Sequence, residues 1–167
     1  IDYVEEDLFM APDLSTIRKI PWNKEPTAQI ICDLNYPSGE PSKLAPRQVL
    51  KNIIKKLSDE QLLAVVAPEL EFYLCEQNLD PDLPLKTPIG KSGRRETGSR
   101  VFGIDAVNEF DKLTDDIYDY CELMNIGVDT LVHESGPSQI EINLNHGDPL
   151  ALADQAFMFK RAVRQVA

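Results

Sequence analysis

The sequence predicts a layered fold of mixed helix and strand, α/β or α+β, with elements in the order β-α-β-α-β-β-α. Three observations predict it. Apolar residues recur at three- and four-residue spacing at 46–58, at 106–125 and from about 149 onward, as on a helix with one buried face. Strand-like runs occupy 28–35, 64–75, 128–133 and 138–145, and apolar and polar residues alternate in AQIICDLN, PELEFYL and SQIEINLN. Clusters of Gly and Pro punctuate the intervals.

The first strand, AQIICDLN, follows a Pro-punctuated loop or edge region, LFMAPDLSTIRKIPW. YPSGEPSKL is a turn-rich connector, after which Pro46 fits the first turn of a helix with Val49, Ile53, Ile54 and Leu57 on its buried face. After the strand at 64–75, residues 77–100 hold prolines and glycines with few packing residues and read as a long mobile loop. That loop carries Lys86, Lys91, Arg94, Arg95 and Arg100. The helix at 106–125 turns Val107, Phe110, Leu113, Ile117, Cys121 and Met124 inward and an acidic face to water, and Gly127 closes it. Two strands and a last helix, with Leu150, Ala153, Phe157 and Val163 inward, complete the order.

A chain of 167 residues, 43% hydrophobic, is long enough for one core or parts of two. The formal net charge of −11 argues against nucleic acid or an anionic membrane as partner, since both require a basic surface. Cys32, Cys75 and Cys121 lie far apart without a CxxC pair, which points to reduced thiols and a cytoplasmic setting. There is neither a signal-peptide pattern nor an apolar run long enough to span a bilayer. The chain begins at Ile1 and ends at Ala167 inside an expected helix, and so reads as a piece of something longer.

The chemistry lies in two strands. Residues two apart in a strand face the same side, roughly 6.6 Å apart along the axis. Glu69, Glu71 and Tyr73 therefore share one face, and Gln139, Glu141, Asn143 and Asn145 share another, with His133 and Glu134 just upstream. The plainest account is the wet face of an antiparallel sheet. If the strands are neighbours, however, Glu69, Glu71, Glu134 and Glu141 converge, and such mutually repelling charges call for cations. All-oxygen ligands favour hard ions such as Mg²⁺ or Mn²⁺. His133, a lone histidine beside a carboxylate, fits a hydrogen-bonded structural residue better than a ligand, and His146 belongs to the turn before the last helix. No GxxxxGK[ST] or GxGxxG occurs, so a Walker-type or Rossmann site has no support.

PELEFYL followed by HESGPSQIEINL resembles the two acidic metal-binding strands of the glutamine synthetases and related γ-glutamyl ligases. MAPDLSTIRKIPW, ICDL, PRQVL and DQAFMFKRAVRQVA resemble the flanking text in the same order, so the likeness covers nearly the whole chain. The resemblance implies an α+β fold: the first part of an antiparallel-sheet catalytic domain at 41–167, preceded by the end of a β-grasp domain and linker at 1–40. It implies that Glu69 serves the metal that holds the ATP phosphates. Glu71, Glu134 and Glu141 would serve a second metal, Mg²⁺ or Mn²⁺, beside glutamate's γ-carboxylate. Glu134 would also help collect and deprotonate the amine. Asp129 falls where the family has a glutamate near the nucleotide, and Phe102 falls roughly where a tyrosine helps form the ammonium site.

The reaction so implied is ATP-dependent formation of a γ-glutamyl amide from glutamate and ammonia through γ-glutamyl phosphate. The alternatives are a γ-glutamyl-polyamine or other amine ligase, and a non-catalytic structural relative. SGPSQIEINLNHGDPLALAD is somewhat closer to the amine-ligase branch, and Phe102 points the same way. The family's later metal ligands and substrate arginines have no counterpart here, so this piece alone is expected to be inactive. The parent is expected to be a double-ring dodecamer.

Overall fold

The computed structural model describes residues 7–167, so residues 1–6 of the expected first domain lie outside it. The chain packs as two compact units. One takes in the described part of Ile1–Val66 with His146–Gln155, and the other Ala67–Asn145 with Ala156–Ala167.

In the first unit, β1 (Phe9–Pro12) pairs antiparallel with β4 (Cys32–Asn35), and β2 (Arg18–Lys19) with β3 (Ala28–Gln29). The strand expected at 28–35 is thus split, its halves pairing with different partners. Helix α1 (Pro46–Asp59) starts where Pro46 predicts. Its apolar face is not buried as expected: Val49 is 45% and Ile53 47% exposed. What fixes α1 is polar. Arg47 donates to Asp154 Oδ1 and Oδ2 at 3.0 and 2.9 Å, to Asp33 at 2.8 Å and to Asp13 at 2.7 Å. Lys51 closes on the other oxygen of Asp33. Asp13 also caps a 3-10 turn at Leu14–Thr16.

The second unit holds a three-stranded antiparallel sheet in the order β5 (Glu69–Tyr73), β7 (Gln139–Leu144), β6 (Val128–His133). The strand expected over 64–75 is shorter because Val66 leaves the ladder to pair with Gly147. The long helix expected at 106–125 is two helices, α2 (Ile104–Asn108) and α3 (Asp111–Leu123), broken at Glu109–Phe110. Ile117 and Cys121 of α3 and Met124 just past its end are buried as their spacing predicts, and Ile140, Ile142 and Leu144 fill the core from β7. Helix α4 (Pro149–Val166) presents a different face from the one expected. Leu152, Met158, Phe159 and Ala162 are buried, while Phe157 is exposed. The fold is α+β with small antiparallel sheets. Among the described residues no helix is long and apolar enough to cross a membrane.

Loop 77–100 has more structure than its composition implies. Ile89 pairs with Arg95, the Glu76 N–H donates to the Lys86 carbonyl at 2.9 Å, and Arg95 joins Glu76 and the Thr87 carbonyl.

Candidate metal centre

Register builds the site. In the β5–β7 ladder Glu71 stands directly opposite Glu141, Glu69 opposite Asn143, and Tyr73 opposite Gln139. Like charges directly opposite across a sheet are destabilising, so this pair works against the fold that carries it. Glu134 lies one residue beyond β6 in the β6–β7 turn, and its N–H donates to the Gln139 carbonyl at 2.8 Å. The three side chains meet: Glu71, Glu134 and Glu141 each offer a carboxylate oxygen within 4.8 Å of the others. Glu71 is exposed and the other two are half-buried, so water and small solutes reach the group.

The donors that reach these carboxylates are neutral. Gln139 Nε2 donates to Glu71 at 2.6 Å, Asn143 Nδ2 to Glu141 at 2.8 Å, and the Ser135 N–H to Glu134 at 3.2 Å. Such donors orient the oxygens without cancelling their charge. Three anionic oxygens held this close, open on one side, fit a hard divalent cation such as Mg²⁺ or Mn²⁺. Gln139 fastens the arrangement further, since its Oε1 accepts from the Gly136 N–H at 2.8 Å. A cavity of about 860 Å³ lies elsewhere, along the basic loop between Gly90 and Arg100, and the three glutamates do not line it.

Glu69 and Asp129, also expected in the site, are not among the three carboxylates that meet. Glu69 shares the face of Glu71 on β5, at the far side of it from Tyr73, and is outside the cluster. Asp129 sits exposed at the irregularity between Val128 and Thr130 in β6. Phe102 is 70% exposed with a φ of +56°, and its N–H donates to the His133 carbonyl at 2.9 Å.

His133 is a buried structural histidine. Its Nδ1 lies 2.8 Å from the Glu134 carbonyl and its Nε2 2.8 Å from Glu96 Oε2. Sequence reasoning passed over Glu96, which comes in from the basic loop. The signal was available: Glu96 is the lone acid between Asp82 and Asp105, among Lys86, Lys91, Arg94, Arg95 and Arg100. The hydrogen bonds of Gln139 and Asn143 onto the glutamates were equally unread, although both residues were placed on the correct face.

The model of the glutamine synthetase catalytic domain matches residues 43–167. The chain is 34% identical over 165 residues to the gamma-glutamylputrescine synthetase of Escherichia coli, covering 98% of this chain and 35% of that protein. It is 30% identical over 175 residues to a glutamine synthetase of Mycobacterium bovis, covering 98% and 36%. A glutamate–isopropylamine ligase of a Pseudomonas species is 29% identical over 165 residues, covering 96% and 34%. Among solved structures, apo GmaS without ligand superposes with a TM-score of 0.79 at 23% identity, covering 100% of this chain and 37% of that one, a likeness of fold. The chain belongs to the glutamine synthetase family, as part of its catalytic domain, and spans about a third of the length of these relatives.

Proposed function

We propose that this chain carries the metal-binding strands of an ATP- and Mg²⁺- or Mn²⁺-dependent ligase that joins the γ-carboxylate of glutamate to ammonia or a small amine. The observation that carries the reading is the meeting of Glu71, Glu134 and Glu141 on neighbouring strands of a chain of this family. The chain spans only part of its relatives, so the complete reaction is proposed for the protein as a whole.

In this reading Glu71, Glu134 and Glu141 hold one divalent cation and Glu69 holds the cation that accompanies ATP. The bound ions would supply positive charge beside the phosphates and the γ-carboxylate. The chain's own share is orientation and electrostatics. Register sets Glu71 and Glu141, and neutral amides aim their oxygens. Glu134, at the mouth of the turn, accepts the proton that the incoming amine must lose. Asp129 lies on the nucleotide side and Phe102 beside the amine. Residues 1–40 are the end of an N-terminal domain, in keeping with a family match that begins at residue 43. The protein is a cytoplasmic ring-shaped homo-oligomer.

A second reading, a γ-glutamyl-amine ligase, has specific support. A gamma-glutamylputrescine synthetase and a glutamate–isopropylamine ligase stand beside the glutamine synthetases at comparable identity, and the resemblance implies an ammonium-site tyrosine roughly where this chain has Phe102. Phosphate release from ATP by the full-length protein with Mg²⁺ and glutamate, measured with ammonium, putrescine and isopropylamine in turn, separates the two. Ammonium-dependent turnover establishes a glutamine synthetase, and turnover only with larger amines the amine ligase. Silence with every amine refutes both.

A further inference from the structure

Two non-glycine residues with positive φ flank the end of β6: Phe102 at +56° and Ser138 at +57°. L residues avoid this region, and it persists where the surroundings over-determine it. Here a histidine and a glutamate do so. The Phe102 N–H donates to the His133 carbonyl, and the Ser138 N–H donates to Glu96 Oε2 at 2.7 Å. That same oxygen lies 2.8 Å from His133 Nε2. The Glu134 carbonyl can only accept, so His133 Nδ1 carries a proton, and the Nε2···Oε2 contact holds another on one atom or the other. His133 and Ser138 are fully buried and the Glu96 side chain is 8% exposed. The other Glu96 oxygen, Oε1, is buried without a partner. An unpaired interior carboxylate oxygen is costly, so Glu96 is held in place by what its other oxygen does.

The geometry points to Glu96 as a positioning residue for Glu134, and through it for the whole carboxylate group. This rests on the reading of Glu71, Glu134 and Glu141 as a cation site. The sheet ladder already fixes Glu71 and Glu141. Glu134 lies past the end of β6, so its direction depends on how the turn is held. Glu96 grips that turn at both ends, His133 before Glu134 and Ser138 after it. The basic loop is therefore part of the site although it contributes no ligand.

The test is a calorimetric Mn²⁺ titration of the purified protein, its Glu96→Ala and its Glu96→Gln variants, with hydrogen exchange of the metal-free forms at residues 134–139. Glu96→Ala should weaken Mn²⁺ binding by about tenfold or more, as losing the support of a metal ligand does, and should speed exchange of the Ser138 N–H. Glu96→Gln should restore most of both, because its side-chain oxygen can take the place of Oε2 and still accept from the Ser138 N–H. Unchanged Mn²⁺ affinity in Glu96→Ala overturns the inference. So does equal loss in a folded Glu96→Gln, which would make the charge and not the position matter. If the unaltered protein takes up no Mn²⁺, the cation-site reading fails, and exchange then decides the clamp: faster in Glu96→Ala sustains it, unchanged overturns it.

Discussion

Arg47 is the point at which the first unit is most easily broken. Its guanidinium makes four contacts of 2.7–3.0 Å to Asp13, Asp33 and Asp154, while its side chain is only 12% exposed. The partners are 27%, 21% and 13% exposed. Replacing Arg47 by methionine keeps the aliphatic stem and leaves three carboxylates facing one another without their shared cation. Removing one member of a buried ion pair costs about 3–5 kcal/mol, whereas exposed pairs contribute about 0–1 kcal/mol. This cluster is nearer the buried limit but still wetted, so Arg47→Met should cost about 2–4 kcal/mol. Trp22, the one tryptophan in the sequence, lies in the same unit and reports its unfolding by fluorescence in a urea titration. A loss below about 1 kcal/mol would mean that the cluster behaves as an ordinary surface pair and that the argument from burial is mistaken. Acid should act on the same unit. The Ser15 hydroxyl and then Arg47 hold the Asp13 carboxyl down to about 2, against an ordinary 3.8. Burial pushes Asp33 up, but hydrogen bonds from Lys51 and Arg47 outweigh it and the net shift is downward. A carboxyl lowered by folding stabilises the fold above its unfolded value, so the contribution is intact above about pH 4 and is lost as the pH falls toward 2.

Further outcomes follow from other parts of the molecule. In the full-length protein, Glu71→Ala or Glu141→Ala should abolish ligase turnover and leave the fold largely intact. Relief of repulsion should raise metal-free stability by about 1 kcal/mol, the size of one like-charge contact in water; near-normal turnover in either variant would remove both from the ligand set. Limited trypsin should cut the basic loop at exposed Lys91 and Arg94, as peptide mass mapping would show, and full protection of the loop would contradict its exposure. Burial pushes the Cys121 thiol up to about 12, so iodoacetamide at pH 8 should label exposed Cys75 and leave Cys121 untouched; equal labelling would contradict the packing of α3.

Much of the candidate site was legible because a strand's two-residue period is strict. From it, Glu69 and Glu71 fall on one face of β5, and Gln139, Glu141 and Asn143 on one face of β7. That the strands are neighbours, with Glu71 opposite Glu141, is a fact of register that no single strand carries. Helix α1 shows the opposite limit. Its spacing marks a face with Val49 and Ile53 on it, but periodicity says which residues share a side, not whether anything covers them. The break between α2 and α3 was hidden because the apolar period runs on through Glu109 and Phe110. Glu96 was missed because a loop has no period, and its partners His133 and Ser138 are far away in sequence.

The most direct test of the central claim is crystallographic: soak the protein in Mn²⁺ and collect anomalous diffraction. The account predicts a Mn²⁺ peak bonded to oxygens of Glu71, Glu134 and Glu141 together, lost in Glu141→Ala. Full occupancy of Mn²⁺ elsewhere with these three carboxylates bare, or no peak at saturating metal, would contradict it.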